Sequence, residues 1–177
     1  MRLGVVLYPE DDSVEALLAG FVAQLRAKGI RVGGLLQESG REPNGRPRME
    51  LVDIGSGERV LISQNLGPDS KACCVDVQGV ASAAVLLRRA LAERPDLLVI
   101  NKFSGLEAKG GGLRAELIEA VAQEIPVLTG LSERHCAAFA EMSGGAGQIL
   151  DPDPRALAEW WRRITDASPL PADRLAG

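Results

Sequence analysis

Aromatic residues are scarce in this chain: three Phe, two Trp and one Tyr make up 3% of its 177 residues. That shortage removes the stacking platforms on which single-stranded nucleic acids are held, and it leaves the core to Leu, Val, Ile and Ala. Histidine occurs once, at His135, with Cys136 as its near partner, which is too little for a closed zinc site. Of the three cysteines, Cys73 and Cys74 are adjacent and would bridge only with strain, so no disulfide framework is expected. No apolar run approaches the ~20 residues that span a bilayer. The N-terminus enters a strand-like segment directly, without a signal-peptide pattern, and a cytoplasmic location is expected. Positive charge is not in excess either. The net charge of −4 argues against nucleic acid and acidic membranes as partners.

What remains is ordinary for a globular protein: 46% hydrophobic and 25% charged residues, suited to one α/β domain. That domain is expected over residues 1–165, with a loose tail at 166–177. Short apolar runs at 3–8, 30–37, 97–100, 126–131 and 147–150 read as strands. Between them lie helical patterns. One starts at Ser13, with Val14, Leu18, Phe21 and Leu25 on a single face. Others cover 77–93, 113–124 and 133–142, and a last one follows Pro154 with Leu157, Trp160, Trp161 and Ile164 turned inward. A polar loop is expected at 39–48, a hairpin over 49–54 and 59–64 around Gly55-Ser56-Gly57, and a short strand near 70–76. The alternation predicts a three-layer α/β fold, a mostly parallel sheet wrapped on both faces, with the hairpin inserted.

The richest chemistry lies at 98–114. An apolar strand stops at Asn101 and Lys102, and Gly110, Gly111 and Gly112 then open a helix. Ligands of open parallel sheets bind beyond the carboxyl ends of strands, and glycine-rich helix starts offer backbone N–H groups to anions. Lys102, Lys109 and Arg114 would supply charge, and Asn101 and Gln64 hydrogen bonds. The plain alternative is a surface loop with ordinary lysines. The arginine loop of Arg41, Arg46 and Arg48 is placed either over the same ligand, where guanidinium groups bind oxyanions bidentately, or in solvent. The turn after the first strand has the place of a phosphate-binding loop but the wrong residues. Glu10, Asp11 and Asp12 stand where that loop needs glycines and a Lys-Ser/Thr pair. Capping of the helix by Asp12 or Ser13 explains them, and magnesium held by these acids is the alternative. Cys73, Cys74 and Asp76 lack the CxxC spacing of a metal site, and no G-x-S-x-G elbow marks a triad.

Several stretches carry a resemblance: Gly34-Leu35-Leu36-Gln37, the hairpin 49–57, Ile62-Ser63-Gln64-Asn65-Leu66-Gly67, Cys74-Val75-Asp76, Asn101-Lys102-Phe103-Ser104-Gly105-Leu106-Glu107 and Ile125-Pro126-Val127-Leu128-Thr129. With these the chain resembles, over about residues 2–162, a bacterial domain-of-unknown-function family found beside molybdate-transport genes. More distantly it is similar to the thermophile-type nucleoside-triphosphatases. That resemblance implies a P-loop-NTPase-like fold whose phosphate loop is degenerate. Where those enzymes end the central strand in an acidic pair, this chain has Asn101-Lys102, with Gly105 and Glu107 still recognisable.

The expected function is binding of a small oxyanion or phosphorylated ligand, with no conventional NTPase activity. Glu107 is expected to orient Lys102 or Arg114. The family setting implies molybdenum or tungsten handling, with molybdate, tungstate or a nucleotide as the bound group. Two alternatives stay open: an unconventional magnesium-dependent nucleotidase, and a ligand-free adaptor for a molybdenum transporter or a cofactor-assembly protein.

Overall fold

The computed structural model describes residues 2–45, 47–63 and 75–167. Among these residues seven strands form one sheet in the order β4-β3-β2-β5-β6-β1-β7. Five of them run parallel: β1 (Leu3–Tyr8), β2 (Val32–Arg41), β5 (Leu97–Phe103), β6 (Val127–Ser132) and β7 (Gln148–Leu150). β3 (Pro47–Asp53) and β4 (Arg59–Leu61) fold back antiparallel at one edge. The central strands are apolar almost throughout because both faces are covered.

The two faces carry separate helices. On one, α2 (Val77–Ala92), α4 (Arg114–Ala122) and α5 (Cys136–Ser143) bury Leu87, Leu117 and Phe139 in one apolar cluster with Ile100 and Phe103. On the other, α1 (Glu15–Ala27) and α6 (Pro154–Asp166) bury Leu18, Phe21 and Trp160 against Val6 and Val99. α6 shows how local sequence makes such an element. The Asp153 side chain accepts from the N–H of Arg155, Pro154 takes the first turn, and Leu157, Trp160 and Ile164 recur on the buried side. Chain connections therefore leave β1 toward one face and β6, its neighbour, toward the other. Between the carboxyl ends of those two strands the sheet opens a crevice.

Several expected elements shift. The expected hairpin forms, but it is continuous with β2, which runs four residues beyond Gln37 and pairs Gln37 with Leu51 and Ser39 with Met49. Part of the expected polar loop at 39–48 is thus ladder: residues 38–41 are all exposed, and Arg59 ties Glu38 to Glu50 across the ribbon. α1 is not capped by Ser13 or Asp12. Val14 holds the cap position without a side-chain bond, and Asp12 accepts only from the N–H of Ser13, at 2.7 Å. A short helix absent from the sequence reading, α3 (Gly105–Ala108), follows β5. Gln64, Asn65, Arg46, Cys73, Cys74 and the expected tail beyond Ala167 lie outside the described residues. Among the described residues no helix is long and apolar enough to cross a membrane.

Candidate functional site

The crevice is a cavity of about 510 Å³ at the carboxyl ends of β1, β5 and β6, bounded on its far side by the antiparallel ribbon and α2. Its centre is made by an irregularity in β5. Ile100 pairs with Thr129 and Lys102 with the next residue, Gly130, so Asn101 is an extra residue in the ladder. The consequence is visible in the packing. Ile100 and Phe103, three apart, both enter the cluster beneath α2 and α4, which strict alternation along a strand forbids. The bulge turns Lys102 toward α1 and leaves Asn101 facing the crevice, a use of bulges common beside functional sites.

Lys102 donates to Glu15 Oε1 at 2.8 Å, its side chain remains 29% exposed, and the residue lines the cavity. Burial alone would raise the Glu15 carboxyl. The hydrogen bond and charge of Lys102, helped by the N–H groups of Val14 and Glu15, hold it below its ordinary value. A carboxylate from the chain itself thus sits at the start of α1, where the helix dipole favours negative charge. Asn101 is 2% exposed, and its Nδ2 reaches Gln37 Oε1 only at 3.5 Å. Its Oδ1 and the hydroxyl of buried Ser132, both on the cavity wall, have no partner among the described residues. Buried polar atoms are rarely left in that state.

Neighbouring groups set the electrostatics. Burial, and then the charge of Glu15, pushes the Tyr8 phenol up to about 12, so it stays neutral. Burial, and then Arg134, lowers His135 against a smaller opposing pull from Glu107, so the ring is neutral near pH 7. Arg134 is paired with Glu10, and Lys109 is an exposed cation at the rim. Among the described residues no three His, Cys, Asp or Glu gather in a way that would hold a metal ion.

The remaining expected site residues fall elsewhere or do other work. Glu107 is buried, and it does not orient Lys102 or Arg114. Its carboxylate accepts from the N–H and hydroxyl of Ser104, at 2.9 and 2.6 Å, and from the N–H of Leu113 at 3.0 Å. Near donors in its own loop capture it, closing a capping box around α3. The glycines serve that loop. The N–H groups of Gly110 and Gly111 bond the carbonyls of Glu107 and Leu106. Gly112 has φ +61°, and a Cβ there would strike the Glu107 carboxylate. None of the three lines the cavity, and neither does Arg114, whose guanidinium lies beside Gly110. Arg48 sits on β3 and pairs with Glu50 at 2.7 Å, away from the cavity.

A family model described as "protein of unknown function (DUF2478)" matches residues 3–160. The chain belongs to the DUF2478 family. It is also 39% identical, over 91% of its length, to a protein of Bradyrhizobium diazoefficiens named molybdenum import ATP-binding protein ModC 2. The chain spans only 18% of the length of that relative. It is 25% identical to nucleoside-triphosphatase THEP1 of Methanothermobacter thermautotrophicus over 74% of this chain and 76% of that one. The solution structure of a human cancer-related nucleoside triphosphatase superposes with a TM-score of 0.63 at 19% identity, covering 96% of this chain and 98% of the other. The DUF2478 chain thus has the fold of those enzymes, as the resemblance in its sequence implied. Sequence reading missed Glu15 and Ser132 as site residues. Acidic Glu15 in a first helical turn was the visible signal, but its partner lies 87 residues away.

Proposed function

We propose that this domain binds a small oxyanionic or phosphorylated ligand in the crevice, and that it does so without conventional nucleotide hydrolysis. The observation that carries the reading is Lys102, which follows the β5 bulge, lines the cavity and has its charge met by Glu15 at the start of α1. An oxyanion entering the crevice competes with Glu15 for the ammonium and can accept from the Ser132 hydroxyl, while the unpartnered Asn101 Oδ1, an acceptor, calls for a donor on the ligand. Hydrolysis has little support. The turn between β1 and α1 lacks the glycines and the Lys-Ser/Thr pair of a phosphate-binding loop, and of its acids Glu10 and Asp12 line the same cavity, Glu10 neutralised by Arg134. Similarity to a protein named for molybdenum import favours molybdate or tungstate handling as the setting. Because this chain matches only a part of that longer protein, a regulatory or adaptor role beside a molybdenum transporter is the second reading.

The test is thermal unfolding of the full chain with molybdate, tungstate, sulfate, phosphate, ATP and GTP, each with and without magnesium. A ligand at a hundred times its Kd stabilises by ~2.7 kcal/mol. At least one anion is expected to raise Tm, and Lys102→Ala, itself folded, is expected to lose that shift. A full shift in the variant, or none with any anion, overturns the reading. A shift seen only with magnesium and nucleotide, lost on changing Asp11 and Asp12, would favour the nucleotidase.

A further inference from the structure

The crevice is longer than an inorganic ion requires, and its two ends differ in chemistry. From Met49 and Leu51 on β3 to Tyr8 on β1 its wall crosses β2, β5 and β6. Four strand spacings of about 4.8 Å make that span ~19 Å. Toward β1 stand Lys102, paired with Glu15, and Arg134, paired with Glu10, with Asp12 also on the lining. At the ribbon end the wall is apolar: Met49, Leu51, Ile62, Val80 and Leu106 face the cavity. Between the two ends lie the unpartnered atoms Asn101 Oδ1 and Ser132 Oγ. A bare tetrahedral oxyanion would meet only the charged end and leave an apolar wall against water. A volume of about 510 Å³ is that of an ordinary organic-ligand pocket.

Resting on the proposed anionic ligand, we infer that the natural ligand is an elongated organic anion. Its oxyanion head, a phosphate ester or a comparable group, lies at Lys102, and its middle carries hydrogen-bonding atoms for Asn101 and Ser132. Its apolar body lies on the wall formed by the ribbon and α2. The wall is then a specificity element: it separates phosphorylated organic compounds from inorganic phosphate or molybdate, which share the head-group chemistry.

Calorimetric titration of the full chain with monoalkyl phosphates from butyl to decyl tests this, with inorganic phosphate and the matching neutral alcohols as further arms. Burial of each methylene is worth ~0.8 kcal/mol, so Kd is expected to fall about fourfold per carbon until the wall is covered. Leu106→Ser and Met49→Ser, both at partly exposed positions, are expected to flatten that gradient while leaving inorganic phosphate unchanged. Lys102→Ala is expected to weaken every phosphate together. Equal affinity for inorganic phosphate and all esters overturns the inference alone, as does a gradient that survives both wall variants. The same gradient in the alcohols, with no gain from phosphate, overturns the anionic head and the functional reading with it.

Discussion

Glu15 and Lys102 show how one pair of side chains changes the chemistry of a strand end. Their ion pair is partly buried and set at a helix start, so its worth lies between that of a surface pair and a dry one. The Glu15 carboxyl is held below its ordinary 4.5 despite burial. A group with a depressed folded value contributes stability that is complete above its unfolded value, and that contribution is lost as pH falls through the folded one. Wild type is therefore expected to exceed Glu15→Gln by about 1 kcal/mol at neutral pH, and the gap should close on acidification below 4.5. Urea unfolding of both proteins from pH 3 to 7, about 1.5 units below to about 2.5 units above the ordinary value, checks it, and a constant gap would refute it. Glu107 is the contrasting carboxylate. Three donors from its own loop satisfy it, so it holds α3 in place.

At the scale of elements, the site depends on how β5 is gripped by its neighbours. β2 lies against it from Val32↔Leu97 to Leu35↔Ile100, and the bulge follows at once on the β6 side. Gly34 lies inside that contact with φ +107°, and a Cβ there would run into the carbonyl of Val99. Gly34→Ala is expected to cost ~3 kcal/mol or more, since both the dihedral and the space are denied. Chemical denaturation would measure this. A variant of near-normal stability would mean that β2 can shift without disturbing β5. The ribbon matters for a different reason. By extending β2 and adding β3 and β4, the chain carries an apolar wall beyond the parallel core, and that wall makes the crevice more than an ion-sized notch.

At the scale of the molecule, one continuous sheet separates two apolar clusters, and neither can form without the strands they share. Unfolding is expected in a single transition. Tryptophan fluorescence reports the α6 side through fully buried Trp160, while far-ultraviolet circular dichroism reports all helices, and the two curves should coincide in denaturant. Separated midpoints would show that the faces unfold independently. Much of this architecture was legible in the chain: β1, α1, α2, β6 and α6 fall within a few residues of where periodicity put them, because 2- and 3.6-residue repeats are local properties. The polar end of β5 was legible too. The roles of the glycines, Glu107 and Arg48 were not, since residue type and spacing do not say which donors or acceptors stand nearby in the fold. The sequence by itself determined an alternating α/β chain with a cation at a strand end. Only tertiary structure decided that Lys102 lines the crevice and meets Glu15. A bulge is a relation between two strands, and an ion pair spanning 87 residues exists only once the sheet has closed.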